Sequence, residues 1–219
     1  MKKQIYVLVA IAVVLIAATW IGARAYRASE EEKKAEVAAA RPAPEPSVYE
    51  RPHSHSLGPA DAKVTIVEFL DPECETCRQM YPIVKQLLGE YRGQVRLVVR
   101  YMPFHPNSMF AASALEAAAK QNRYWEMLEA LFIKQPLWGS HHDPKPELIP
   151  EIAKEVGLDM EAFNQALADP KTKENVLQDK TDGEKLGVTG TPTFFVNGKQ
   201  LERLGYDPLK AMVAQALAE

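Results

Sequence analysis

Cys74 and Cys77 are the only two cysteines among 219 residues, and they stand two apart in Asp71-Pro72-Glu73-Cys74-Glu75-Thr76-Cys77. A chain that places both cysteines in one C-x-x-C is equipped for redox exchange or for binding a metal. A structural staple is the weaker reading, because closing so short a loop gains about 2 kcal/mol of chain entropy, against about 3 for a 15-residue loop. Exchange proceeds when a thiolate attacks a disulfide and a second thiol resolves the mixed disulfide. It therefore needs an accessible first sulfur, a covered second one, and surroundings that favour the thiolate. A helix N-terminus supplies the last through its dipole and unsatisfied N–H groups. One helical turn also keeps two cysteines within disulfide reach. Cys74 is the expected nucleophile and Cys77 the resolving thiol.

The metal alternative is tested by counting ligands. A structural zinc site takes four. There is no second C-x-x-C, and His53, His55, His105, His141 and His142 lack the H-x3–5-H spacing of zinc fingers. A copper(I) module stays open, because soft thiolates suit that ion, with His105 or Met102 as further ligands. His53 and His55 read as solvated linker residues, and His141 and His142 as loop surface. His105 follows a predicted strand closely enough to approach the edge of the site.

The elements that must position the pair follow from periodicity. Residues 64–70 (Val-Thr-Ile-Val-Glu-Phe-Leu) form a short, β-branched, apolar run that predicts a buried strand ended by Pro72. Cys77, Met80, Tyr81, Val84, Leu87, Leu88 and Tyr91 then recur at helical spacing, which puts the C-x-x-C at the start of an amphipathic helix. Pro82 should kink that helix, and Gly93 stops it. Residues 95–101 predict a second strand. A helical block follows: 109–121 capped by Asn107 or Ser108, 124–134, a loop over 136–146, then 147–156, 160–168 and about 171–186. Residues 193–196 predict a strand, Asn197-Gly198 a tight hairpin, 200–204 its partner, and Asp207 or Pro208 the start of a last helix reaching Ala218. The order is β-α-β, a block of helices, then β-β-α: an α/β fold in two sheet-forming halves with a helical insertion.

The N-terminus reads as an address. Lys2 and Lys3 precede an uncharged run from Gln4 to Ala23, and about 20 apolar residues suffice to cross a bilayer as a helix. Positive charge ahead of the run keeps that end in the cytoplasm. Residues 1–27 are expected to form an uncleaved signal-anchor, with Trp20 at the membrane interface. The alternative is a secretory signal cleaved near Ala23-Arg24-Ala25. Either way the remainder leaves the cytoplasm, for the periplasm or an equivalent extracytoplasmic space, where paired cysteines tend to become disulfides. Residues 28–57 are charged, then Ala/Pro-rich, with few apolar side chains, and are expected to be a flexible linker. The domain is expected over 58–219. A net charge of -3 leaves no basic footprint for nucleic acid, and the chain has no Gly-rich phosphate loop.

The strand–C-x-x-C–helix unit, followed by Gly187-Val188-Thr189-Gly190-Thr191-Pro192-Thr193-Phe194-Phe195-Val196-Asn197-Gly198, resembles the thioredoxin superfamily. The helices between the halves make it similar to the DsbA-like branch of thiol–disulfide oxidoreductases. The resemblance covers about 58–219, with 58–106 and 187–219 as the thioredoxin core and 107–186 as the insertion. It implies a redox-active disulfide between Cys74 and Cys77, and a cis Pro192 facing it. Thr191 would offer backbone hydrogen bonds to substrate. It also implies no cofactor, exported protein thiols and disulfides as substrates, a membrane or soluble redox partner, and a monomer. Glu68, six residues before Cys74, matches the branch's buried carboxylate. Burial raises a carboxyl's pKa, so Glu68 could exchange a proton with Cys77. The departure is Glu75-Thr76, where the branch usually holds Pro-His. With Asp71, Glu73 and Glu75 all acidic, the Cys74 thiolate is expected to be less favoured than in a strong oxidase, and the disulfide more reducing. The competing classes are the copper module and a scaffold that keeps the fold without turnover.

Overall fold

The computed structural model describes residues 48–219, together with Trp20, Gly22, Arg24, Tyr26 and Ser29. Two compact units are distinguished, Met1–Ala43 and Pro44–Glu219. In the first, the five described residues are helical, and the Arg24 guanidinium lies 5.7 Å from the centre of the Trp20 ring. The rest of the expected membrane segment lies outside the described residues. Among the described residues no helix is long and apolar enough to cross a membrane.

The second unit is built on a five-stranded sheet. In chain order the strands are β1 (His55–Leu57), β2 (Val64–Leu70), β3 (Val95–Tyr101), β4 (Thr193–Val196) and β5 (Lys199–Gln200). They lie side by side as β1-β3-β2-β4-β5, with β2 and β3 parallel and the other neighbours antiparallel. The parallel pair is joined by helix α1 (Glu75–Glu90). This is the crossover that parallel strands require. Its helix runs on through Pro82.

Strand alternation sorts the core into two layers. Val64, Ile66 and Leu70 of β2 and Val95, Leu97, Val99 and Tyr101 of β3 join Cys77, Met80, Val84 and Leu87 of α1 in the larger one. Leu209, Val213 and Ala216 of the last helix, α7 (Tyr206–Ala218), complete it. Val67, Phe69, Val98, Met102, Leu186, Val188 and Phe195 form the smaller layer on the opposite face. Glu68 falls in register with Ile66 and Leu70, so it points towards α1, under the cysteines.

The helical block comprises α2 (Ser108–Ala119), α3 (Tyr124–Trp138), a 3-10 turn at Pro146–Leu148, α4 (Ile149–Glu155), α5 (Met160–Ala168) and α6 (Pro170–Lys185). Helix α3 outlasts the expected end at 134 by four residues and passes through Pro136. Its last turn is held from outside the backbone ladder, because buried Trp138 donates its indole N–H to the Leu131 carbonyl at 2.9 Å. β5 is shorter than the expected 200–204 strand. The Asn197-Gly198 turn is as expected, with both residues at positive φ (46° and 83°), the conformation that favours this dipeptide.

The expected linker over 28–57 is corrected at its C-terminal end. Residues 48–57 belong to the folded unit. β1 pairs with β3 through His55–Val99, Ser56–Val98 and Leu57–Leu97. Arg51 bonds the Asp182 carboxylate twice, at 2.8 and 2.9 Å. His53 Nε2 lies 2.7 Å from Asp179 and His55 Nε2 2.6 Å from Glu116, so neither histidine is a solvated linker residue. The partners of this segment are buried acids scattered over 116–182, a dependence that composition could not reveal.

Candidate functional site

Cys74 is the N-cap of α1, in an extended conformation that turns the chain into the helix. Its carbonyl starts the helix by accepting from the Arg78 N–H at 3.2 Å, and its own N–H donates to the Asp71 carbonyl at 3.0 Å. The two sulfurs are covered unequally: Cys74 retains 7% exposure and Cys77 none. Both are free thiols. Cys77 Sγ accepts the Asp71 backbone N–H at 3.5 Å.

The Cys74 thiol is brought down to about 5. A hydrogen bond from the Cys77 thiol contributes most. Partial burial opposes it, and the Thr191 side chain and the backbone N–H groups of Cys77 and Thr76 add to the lowering. These last donors are the free N–H groups of a helix start. The Thr191 carbonyl accepts from the Cys74 thiol at 3.3 Å, a bond available to the thiol alone, so the donors around the sulfur decide the balance. At neutral pH Cys74 is a thiolate. Cys77 shows the opposite behaviour: burial, the bond to Cys74 and the nearby Glu68 push it well above the ordinary thiol value. Glu68, 2% exposed, is held protonated up to about 8 by burial and by the Cys74 charge.

The Thr191–Pro192 peptide is cis. Pro192 is buried at the start of β4, and Thr191 meets Cys74 across the site. The structure brings together Cys74, Cys77, Glu68 and Thr191, four of the five residues singled out from sequence, and sets Pro192 beside them. Met102 is not among them. It packs in the opposite core layer, against Phe69 and Gly183, and His105 Nδ1 is held 2.7 Å from Asp71. The ligands considered for copper therefore do not converge on the cysteines.

The acidic residues before Cys74 have partners of their own. Asp71 is fully buried and accepts from the backbone N–H groups of Glu73 (2.9 Å), Phe104 (2.8 Å) and His105 (3.2 Å). Glu73 accepts from the Asn107 N–H at 2.7 Å, the Asn107 amide at 2.8 Å and the Ser108 hydroxyl at 3.3 Å. The start of α2 is thus capped by Glu73, not by the Asn107 or Ser108 side chain. Glu75 is exposed and lies 4.0 Å from His141 Nε2.

Gln135 escaped the sequence reading. It is buried on α3, and its amide donates to the carbonyls of Pro72 at 2.9 Å and Cys74 at 3.0 Å, while its oxygen accepts from Arg78 Nε at 3.0 Å. The helical block thereby grips the redox turn on both sides of Glu73. The sequence does carry a signal for it: Gln135 is a polar residue on the apolar stripe of Leu128, Leu131 and Trp138. His141, expected to be loop surface, lines a cleft of about 210 Å³ beside Glu75, Arg78 and Gln135.

A family profile described as Thioredoxin matches residues 50–215, and the chain belongs to that family. Its structure is similar to that of a thioredoxin-like oxidoreductase from Silicibacter pomeroyi DSS-3. The TM-score is 0.70 at 30% identity, covering 81% of this chain and 99% of the other. It is also similar to oxidised BdbD from Bacillus subtilis, with a TM-score of 0.69 at 28% identity, covering 76% and 94%. The fold is that of DsbA-like thiol–disulfide oxidoreductases. A stretch of 150 residues is 39% identical to part of the Na(+)/H(+) antiporter NhaA 3 of Salinispora tropica, covering 67% of this chain but 22% of that protein.

Proposed function

We propose that this protein exchanges disulfides with exported proteins through Cys74 and Cys77. The supporting observation is the opposed character of the two sulfurs: a low-pKa, slightly exposed Cys74 against Thr191, and a covered, high-pKa Cys77 above Glu68. A substrate strand would lie against Thr191 and Pro192. Its thiolate attacks the Cys74 sulfur of the disulfide form, and Cys77 leaves as a thiolate that takes a proton from Glu68. A second substrate thiolate then attacks the substrate sulfur of the mixed disulfide. The substrate becomes a disulfide, and the enzyme becomes a dithiol with its Cys74 ionised. The reverse sequence reduces a substrate by the same steps. Ion exchange is not part of this reading. The chain matches only 22% of that antiporter's length. Membrane attachment through residues 1–27, with the domain outside the cytoplasm and acting as a monomer, completes the proposal.

Trapping tests it. Cys77→Ala removes the resolving thiol and should retain exported proteins as mixed disulfides on Cys74, identifiable by mass spectrometry, while Cys74→Ala should retain none. Equal trapping by the two variants would overturn the assigned roles. Failure of the parent protein to reduce insulin or to reshuffle a scrambled disulfide protein would overturn the proposal itself.

A further inference from the structure

The dipeptide between the cysteines, Glu75-Thr76, brings no cation to the site, but an imidazole approaches the redox turn from elsewhere in the fold. His105, on the turn after β3, is anchored to fully buried Asp71 by its ring, Nδ1 to Oδ2 at 2.7 Å, and by its backbone N–H at 3.2 Å. Ser108 Oγ accepts the same N–H at 3.1 Å. The Asp71 backbone in turn donates to Cys77 Sγ. One residue therefore joins the imidazole to the redox turn. The ring retains a quarter of its exposure and sits 5.5 Å from the His141 ring. The charged groups around it are Asp71 and Glu73 before α1, Cys74 at its N-cap, and His141 from the 139–145 loop, which itself faces Glu75.

We infer that the Asp71–His105 pair is the electrostatic partner of Cys74: an imidazolium fixed by a buried carboxylate, reaching the site from the turn after β3, favours the thiolate in place of a cation between the cysteines. His105 acts as a positioning residue, through its charge. Burial opposes that charge, but the Asp71 bond and the nearby negative groups, Cys74 among them, outweigh it and raise the imidazole above its ordinary value. The cation is therefore present across the acid range in which Cys74 ionises, and it fades as pH rises through the raised value. The inference rests on the exchange centre described above but not on turnover.

Coupling between two ionising groups is reciprocal, so the test has two ends. Thiolate absorbance near 240 nm follows Cys74 in the reduced protein. His105→Gln should weaken the acidity of Cys74 about tenfold, the size of one charge–charge interaction near a protein surface. His105→Lys restores a cation while leaving the backbone bonds to Asp71 and Ser108 in place, and should recover the acidity. In the parent protein, the NMR titration of the His105 ring should fall about tenfold in proton affinity when the dithiol is oxidised, since the thiolate is then gone. His53 and His55, bound on other carboxylates, serve as references. An unchanged Cys74 titration in His105→Gln, a His105→Lys variant that behaves like it, or a His105 titration blind to oxidation would each overturn the inference. Neither readout involves a substrate, so failure of the exchange assay would overturn the proposed function alone.

Discussion

Glu68 keeps its proton to about 8 instead of releasing it near 4.5. An unfolded chain has ionised that carboxyl by pH 6, so between about 4.5 and 8 the folded state binds the extra proton and loses stability as pH rises. Glu68→Gln removes that loss. The variant should unfold at higher denaturant than the parent at pH 8, by about 1–3 kcal/mol, and the gain should shrink towards pH 4.5. Its exchange rate at neutral pH should drop as the proton source for Cys77 disappears. Equal stability profiles across that pH range would remove the argument. At this scale the sequence was informative where a residue broke a local pattern: Glu68 interrupts an apolar strand, and Cys74 and Cys77 are unique. His105 was legible as a neighbour of the site, but its tie to Asp71 spans 34 residues and leaves no local trace.

Elements were easiest to read where burial was one-sided and periodic. β2, β3, β4 and α5 start and end where their patterns do. Boundaries failed where a distant side chain did the work that local signals normally do. α2 is capped by Glu73 from the redox turn, and α3 continues through Pro136 with Trp138 folded back on Leu131. This extra turn matters, because it carries Gln135 to the carbonyls of Pro72 and Cys74. Gln135→Ala leaves both carbonyls without that donor in a buried setting, which should cost about 1–3 kcal/mol by urea unfolding. Gln135→Glu should cost more, since a carboxylate would face two carbonyl oxygens. A variant as stable as the parent would show that the helical block does not hold the turn.

The whole domain begins earlier than its composition suggests. Arg100, fully buried on β3, bonds Asp179 and Asp182 at 2.8 Å each and the Val48 carbonyl at 2.6 Å. Arg51 adds its two bonds to Asp182 from the N-terminal segment. Cutting the chain before residue 48 leaves this network intact. Cutting before 58 strips partners from buried Asp182, Asp179 and Glu116 and uncovers the β3 edge. The longer cut should cost about 3 kcal/mol or more, with increased self-association, while the shorter one should match the folded domain of the full chain. Equal stability of the two fragments would return residues 48–57 to the status of a linker. Only pairing across the sheet marks these residues as part of the fold, because His-Ser-Leu is too short to carry a strand pattern.

The unequal cover over the two sulfurs also bears on how the molecule ages. Peroxide reaches Cys74 first and converts its thiolate to a sulfenic acid, the one reversible rung before permanent damage. Cys77, sealed from solvent one turn away, condenses with it, releases water, and leaves a disulfide between them. That disulfide is the form from which the proposed exchange sequence starts, so a molecule oxidised in this way is returned to it without a repair enzyme.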